Sequence, residues 1–256
     1  MVEKHTPLNT TKHNPAPVAV VLGLAAWSVG GFFAASYLMR WVLELLVAAG
    51  VDFSGIDITV LGAVLTAISY TVALTIVIGV PWWLFKYRTT RQELALQRLP
   101  TWTDLGLAPL AMVAYFITSG LVMYLVSTYI SGFDIEQAQN VGFSDLQYRY
   151  EYILAFATLV VVAPVAEEVL FRGYLYGKLK KYIPWWAAAL VSSVLFGLAH
   201  GQWNVAIDTF VLGMFLCVLR DVTDSLWPAI FLHMLKNGIA YYLLFVNPTI
   251  INSLGG

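Results

Sequence analysis

The sequence predicts an all-α fold, a polytopic bundle of about seven transmembrane helices with room for one interfacial helix, and three observations carry that prediction. Of 256 residues, 59% are hydrophobic and 11% charged, with a mean hydropathy of +0.74, a balance far more apolar than that of ordinary soluble domains. Apolar stretches close to the ~20 residues that cross a hydrocarbon core recur along the chain. Polar or proline-marked breaks separate them. With a net charge of -1 and no concentrated basic surface, nucleic acid is excluded as a partner. Membrane lipid is the expected surrounding.

Residues 1–17 are polar and proline-containing and read as a flexible N-terminal tail. Residues 18–130 hold three spans. The first runs from about Val18 to Met39 and extends as helix toward Ala49; it is too long for the core of a cleavable signal. The second runs from about Ile58 to Phe85 and the third from about Leu107 to Ile130. Residues 131–151 are polar and acidic and read as an exterior loop. Residues 152–246 supply four more helices. The fourth starts near Tyr152, passes Pro164, Glu167, Glu168 and Arg172, and ends on Lys178, Lys180 and Lys181. The fifth spans Trp185 to His200, the sixth Trp203 to Leu219 and the seventh Leu226 to Val246; the fifth and sixth are short.

Lys86, Arg88, Arg91 and Arg98 crowd the connection after the second span, and the three lysines crowd the one after the fourth. By the positive-inside rule this places the N-terminus in the cytoplasm. With no organelle signal, the expected location is a prokaryotic cell membrane. Cys217, the only cysteine, cannot form an internal disulfide.

Ionisable groups at membrane depth are costly, so each needs a partner or a task. His5 and His13 fall in the tail, whereas His200 and His233 fall at the end of or within apolar helices. With the fourth and fifth helices taken as a hairpin turning near Ile183, Glu167 precedes the turn by about 16 positions and His200 follows it by about 17. Both then stand roughly 25 Å above it. Asn237 stands about 21 Å above the last hairpin, with His233 one turn lower. Four groups can therefore share one layer inside the bilayer.

Residues four apart on a helix share a face. Glu168 and Arg172 are such a pair, as are Phe196 and His200, and His233 and Asn237. One carboxylate can brace Arg172 while its neighbour, about 100 degrees away, turns toward the histidines. Peptide hydrolysis needs a base to activate water and donors for the oxyanion, and this set supplies both. Spacing alone does not decide which glutamate is the base. Ser192 and Ser193 are weak competing nucleophiles, since hydroxyls in apolar helices commonly bond back to the preceding turn. Cys217 has no adjacent base by spacing.

Three blocks, AEEVLFRGYLYGKL, SSVLFGLAHG and AIFLHMLKNGIAY, together resemble the CAAX-processing and bacteriocin-processing (CPBP, or Abi) intramembrane glutamic endopeptidases, a family of CAAX prenyl protease 2 and lysostaphin resistance protein A-like proteins. The resemblance covers about Tyr152 to Phe245. It implies that Glu167 is the catalytic base, that His200 helps hold the water and that His233 and Asn237 form the oxyanion hole. Arg172 then braces Glu168, with Phe196 in support. Eukaryotic relatives trim the residues after a prenylated cysteine, and many bacterial relatives act on or protect against secreted peptides. The implied partner is thus a peptide or lipidated protein substrate. Lys236, beside Asn237, departs from the family pattern and is expected to pair with Asp208, the alternative being contact with a peptide C-terminus.

No cofactor is expected. The rival enzyme reading, zinc held by Glu167, His200 and His233, lacks the His-Glu-x-x-His helix of many metallopeptidases. A second rival is a non-catalytic immunity, scaffold or carrier protein; the chain has no internal repeat of the kind common in carriers.

Overall fold

The computed structural model describes residues 17–135, 137, 141–143 and 146–250. The tail with His5 and His13, and part of the expected exterior loop, lie outside the described residues. Among the described residues seven helical runs follow one another: α1 (Pro17–Ala48), α2 (Ile58–Phe85), α3 (Trp102–Tyr129), α4 (Arg149–Leu179), α5 (Trp185–Leu198), α6 (Trp203–Thr223) and α7 (Trp227–Val246). Among the described residues there is no strand, and no helix occupies the described part of 131–148.

Five of the seven, all but α5 and α6, are long and apolar enough to cross a membrane, so the protein is an integral membrane protein. The two exceptions differ in length. At 14 residues, α5 reaches only about 21 Å, short of a ~30 Å hydrocarbon core. By contrast α6 has 21 residues, longer than expected, and it carries Asp208, Arg220 and Asp221.

Capping moves one boundary. The apolar run suggests a start for α3 near Leu107, but the helix begins at Trp102 because Thr101 and Asp104 form a capping box. Arg98 holds the same aspartate, Nη2 donating to Oδ1 at 2.8 Å. Proline shapes two other helices from within. In α2 a π-helical stretch at Thr75–Gly79 precedes Pro81, and in α4 one at Ala157–Val162 precedes Pro164. Each proline removes a backbone donor inside a helix, and a local widening immediately upstream accommodates the loss without breaking the span. A second π-helical stretch, Val169–Tyr176, follows the two glutamates.

The centre of the bundle is α4, which packs against α1, α2, α5 and α7. Its residues from Leu170 to Leu179 are all buried. The hairpin of α5 and α6 is so close that a Cβ on Gly197 would lie 2.4 Å from the Ala206 carbonyl, the small-residue contact that packs membrane helices. Gly201, at φ +72, lets the chain reverse immediately after His200. At one end of the bundle the connection 86–101 lies across three helices. Its Glu93 takes Lys178 Nζ at 3.1 Å and also Lys181, Arg220 donates to the Glu93 carbonyl at 3.0 Å, and Leu226 donates to the Ala95 carbonyl at 2.8 Å.

Candidate active site

Glu167 and Glu168 occupy a six-residue α-helical stretch, Ala163–Glu168, between the two π-helical segments of α4. Adjacent residues on a helix point about 100 degrees apart, and the two carboxylates accordingly have different surroundings.

Glu168 is fully buried, and so is Arg172. Arg172 Nη1 donates to Glu168 Oε1 at 3.0 Å. Such a pair survives inside a bundle only when each charge meets its opposite and the remaining surfaces are filled. The guanidinium lies 4.1 Å from the centroid of the Phe196 ring, a cation–π contact. Gly213 of α6 provides the room, because a Cβ there would lie 2.7 Å from Arg172 Nη2 and 2.8 Å from Ser193 Oγ.

Glu168 does more than brace Arg172. Its Oε1 also meets His233 Nδ1 at 2.8 Å. A carboxylate only accepts, so Nδ1 carries the proton and His233 is anchored from behind. The other nitrogen, Nε2, stands 3.7 Å from Glu167 Oε2. The histidine that spacing assigned to the neighbourhood of Glu167 thus bridges both glutamates.

Glu167 Oε1 accepts a hydrogen bond from Tyr70 of α2. Sequence reasoning missed this residue. It lies 97 positions away in an apolar span with no periodic partner, and its only sequence signal is a hydroxyl inside a membrane helix.

His200 sits in the turn after α5, where its Nδ1 contacts the Phe196 carbonyl at 2.8 Å. A carbonyl accepts, so this contact fixes the proton on Nδ1 and leaves Nε2 with its lone pair. Phe196 is fully buried and packs edge-on against His200, His233 and Phe171, with centroids 4.9, 5.7 and 5.1 Å away. One ring thereby spaces both histidines and the guanidinium.

Asn237 donates through Nδ2 to the Leu159 carbonyl at 2.9 Å. An amide has two N–H donors, and the second remains. Lys236 pairs with Asp208 at 3.4 Å, while Asp208 Oδ1 accepts from Tyr115 and Ser119 at 2.6 Å each. Ser192 departs from expectation: its hydroxyl donates across to the Phe171 carbonyl of α4 at 3.0 Å instead of to its own preceding turn. It is tied to packing, as is the buried Cys217.

Glu167, His200, His233 and Asn237 all line one cavity of about 260 Å³, with Tyr70 and Lys236 on its walls and Leu159, Leu244 and Phe245 among its apolar lining. Among the described residues no group of three or more His, Cys, Asp or Glu is arranged to hold a metal ion.

Residues 149–239 match the family described as type II CAAX prenyl endopeptidase, Rce1-like. Among curated proteins the chain is similar to the candidate membrane peptidase YdiL of Bacillus subtilis, 26% identical over 52% of this chain and 55% of that protein. It is similar to the membrane-embedded CAAX protease MroQ of Staphylococcus aureus, 24% identical over 83% of this chain and 87% of the relative. An uncharacterised 24.3 kDa protein of Escherichia coli is 33% identical over 33% of this chain and 41% of its own length. The chain thus spans about half the length of YdiL and less of the Escherichia coli protein. No solved structure matches it.

Proposed function

We propose that this chain, whose residues 149–239 match the type II CAAX prenyl endopeptidase family, is an intramembrane endopeptidase that hydrolyses a peptide bond of a membrane-associated or lipidated peptide with water activated by Glu167. The observation that carries this reading is the convergence of Glu167, His200, His233 and Asn237 on one cavity, with each side chain fixed by a separate partner.

In this mechanism the water lies against Glu167 Oε2. His200 Nε2 accepts the hydrogen bond of one O–H, which turns the oxygen lone pair toward the scissile carbonyl. Glu167 takes the other proton as the C–O bond forms. The oxyanion collects the free Nδ2–H of Asn237 and, in the doubly protonated form of the ring, the Nε2–H of His233. Collapse of the tetrahedral intermediate breaks the C–N bond, and the proton held on Glu167 passes to the leaving amine. Glu168 acts through His233, holding Nδ1 and hence the ring plane, and Arg172 keeps Glu168 in place. The apolar lining of the cavity accommodates an aliphatic side chain or part of a lipid. The basic end formed by residues 86–101 and 178–181 is oriented to the cytosol, with the N-terminus on the same side.

Cells carrying Glu167→Ala or His200→Ala provide the test, with protein level and membrane peptides read together. Precursor peptides accumulate in both when the proteins are present at wild-type level. Unchanged peptide profiles with both folded variants would sink the reading.

A further inference from the structure

Glu167 has two oxygens in unlike environments. Oε2 faces His233 and the cavity, whereas Oε1 accepts the Tyr70 hydroxyl. A base delivers its catalytic advantage only when its acceptor oxygen is held at a fixed distance and angle from the water. Within α4, Arg172 donates to Glu168 rather than to Glu167, and Glu168 is also met by His233. The second anchor comes from another hairpin. Tyr70 lies in α2, outside the residues that match the endopeptidase family.

The ring of Tyr70 is itself held. Phe32 of α1 packs against it with centroids 6.1 Å apart, and the same Phe32 packs on Phe171 of α4 at 6.3 Å. Tyr70 also forms the wall between the cavity that holds Glu167 and a second cavity between α1 and α2, lined by Phe32, Ser36, Thr66 and Ser69. The phenol therefore has a supported back and a hydroxyl aimed at a single acceptor.

We propose that Tyr70 is a positioning residue of the active site, donating to Glu167 Oε1 so that Oε2 alone is presented to the water, and that the α1–α2 hairpin is for this reason part of the catalytic unit. This rests on Glu167 being the base, and the experiment separates the two claims.

The probe is a synthetic peptide copying the precursor that accumulates most in Glu167→Ala cells, cleaved by full-length purified protein in proteoliposomes. Tyr70→Phe keeps the ring and removes the donor. It lowers kcat about tenfold to 100-fold while KM stays within twofold and the folded amount is unchanged. Ser69→Ala, facing the second cavity, leaves both constants at wild type. Phe32→Leu, which loosens the ring and keeps the hydroxyl, lowers kcat less and also spares KM; it decides the matter should Tyr70→Phe fail to fold. Wild-type kcat in folded Tyr70→Phe, or a rise in KM alone, overturns the positioning role while leaving Glu167 as base. Absence of any Glu167-dependent peptide overturns the function itself, and with it this inference.

Discussion

His233 and Arg172 meet the same oxygen of Glu168, Nδ1 at 2.8 Å and Nη1 at 3.0 Å. Oε1 thus joins α4 to α7 and links the buried cation to a wall of the cavity. Removing it strands a guanidinium that is 0% exposed. Breaking one partner of a buried pair typically costs about 3–5 kcal/mol. Glu168→Gln is therefore expected to lower the melting temperature in detergent far more than Glu167→Gln, and to lower turnover as well. Equal melting temperatures for the two variants would contradict the division between a structural and a reacting carboxylate.

Space around Arg172 supplies an independent check. Gly213→Ala places a methyl 2.7 Å from Nη2 and is expected to cost about 1–3 kcal/mol by overpacking. Gly30→Ala, with nothing within 4 Å of the added carbon, is expected to be neutral or slightly stabilising, as an alanine in a helix interior commonly is. Thermal unfolding of the two proteins side by side distinguishes a packed cradle from a general intolerance of helix substitutions.

At the basic end of the bundle, Glu93 gives a pH signature. Burial opposes its ionisation, but hydrogen bonds from Lys181, the Thr90 backbone and Lys178, with the Lys178 charge, outweigh that and hold the carboxyl down to about 2 from an ordinary 4.5. A depressed carboxylate contributes stability above its unfolded value and loses it as pH falls through the folded one. Glu93→Gln is expected to be less stable than wild type at pH 7. The gap closes as pH falls from about 4.5 toward about 2. A gap independent of pH would show that the carboxylate charge contributes nothing.

Much of this architecture was legible in the chain, for reasons that mark where the rest was not. Hydrophobic runs revealed α1, α2, α4 and α7 because lipid demands long apolar stretches. They misplaced the start of α3, where a cap rather than apolarity sets the end. Four-residue spacing exposed the Glu168–Arg172 pair, since that relation lies within one helix. It could not reveal that His233 shares Glu168, or that Tyr70 holds Glu167. Those contacts join residues 65 and 97 positions apart, and the rotation of each helix about its axis decides them.

A metal requirement is open to direct measurement. Purified protein treated with a strong chelator is expected to keep its turnover, since the proposed water is held by Glu167 and His200 side chains. Loss of activity that added zinc restores would move the chemistry to a metal-bound water.

The central claim is that Glu167 activates the water, and cleavage of the precursor peptide by purified Glu167→Gln tests it most directly, with folded protein matched to wild type by thermal unfolding. The amide keeps the shape and cannot take the proton. The account predicts a fall in kcat of about 100-fold to 10,000-fold with KM little changed; turnover within a few fold of wild type would contradict it.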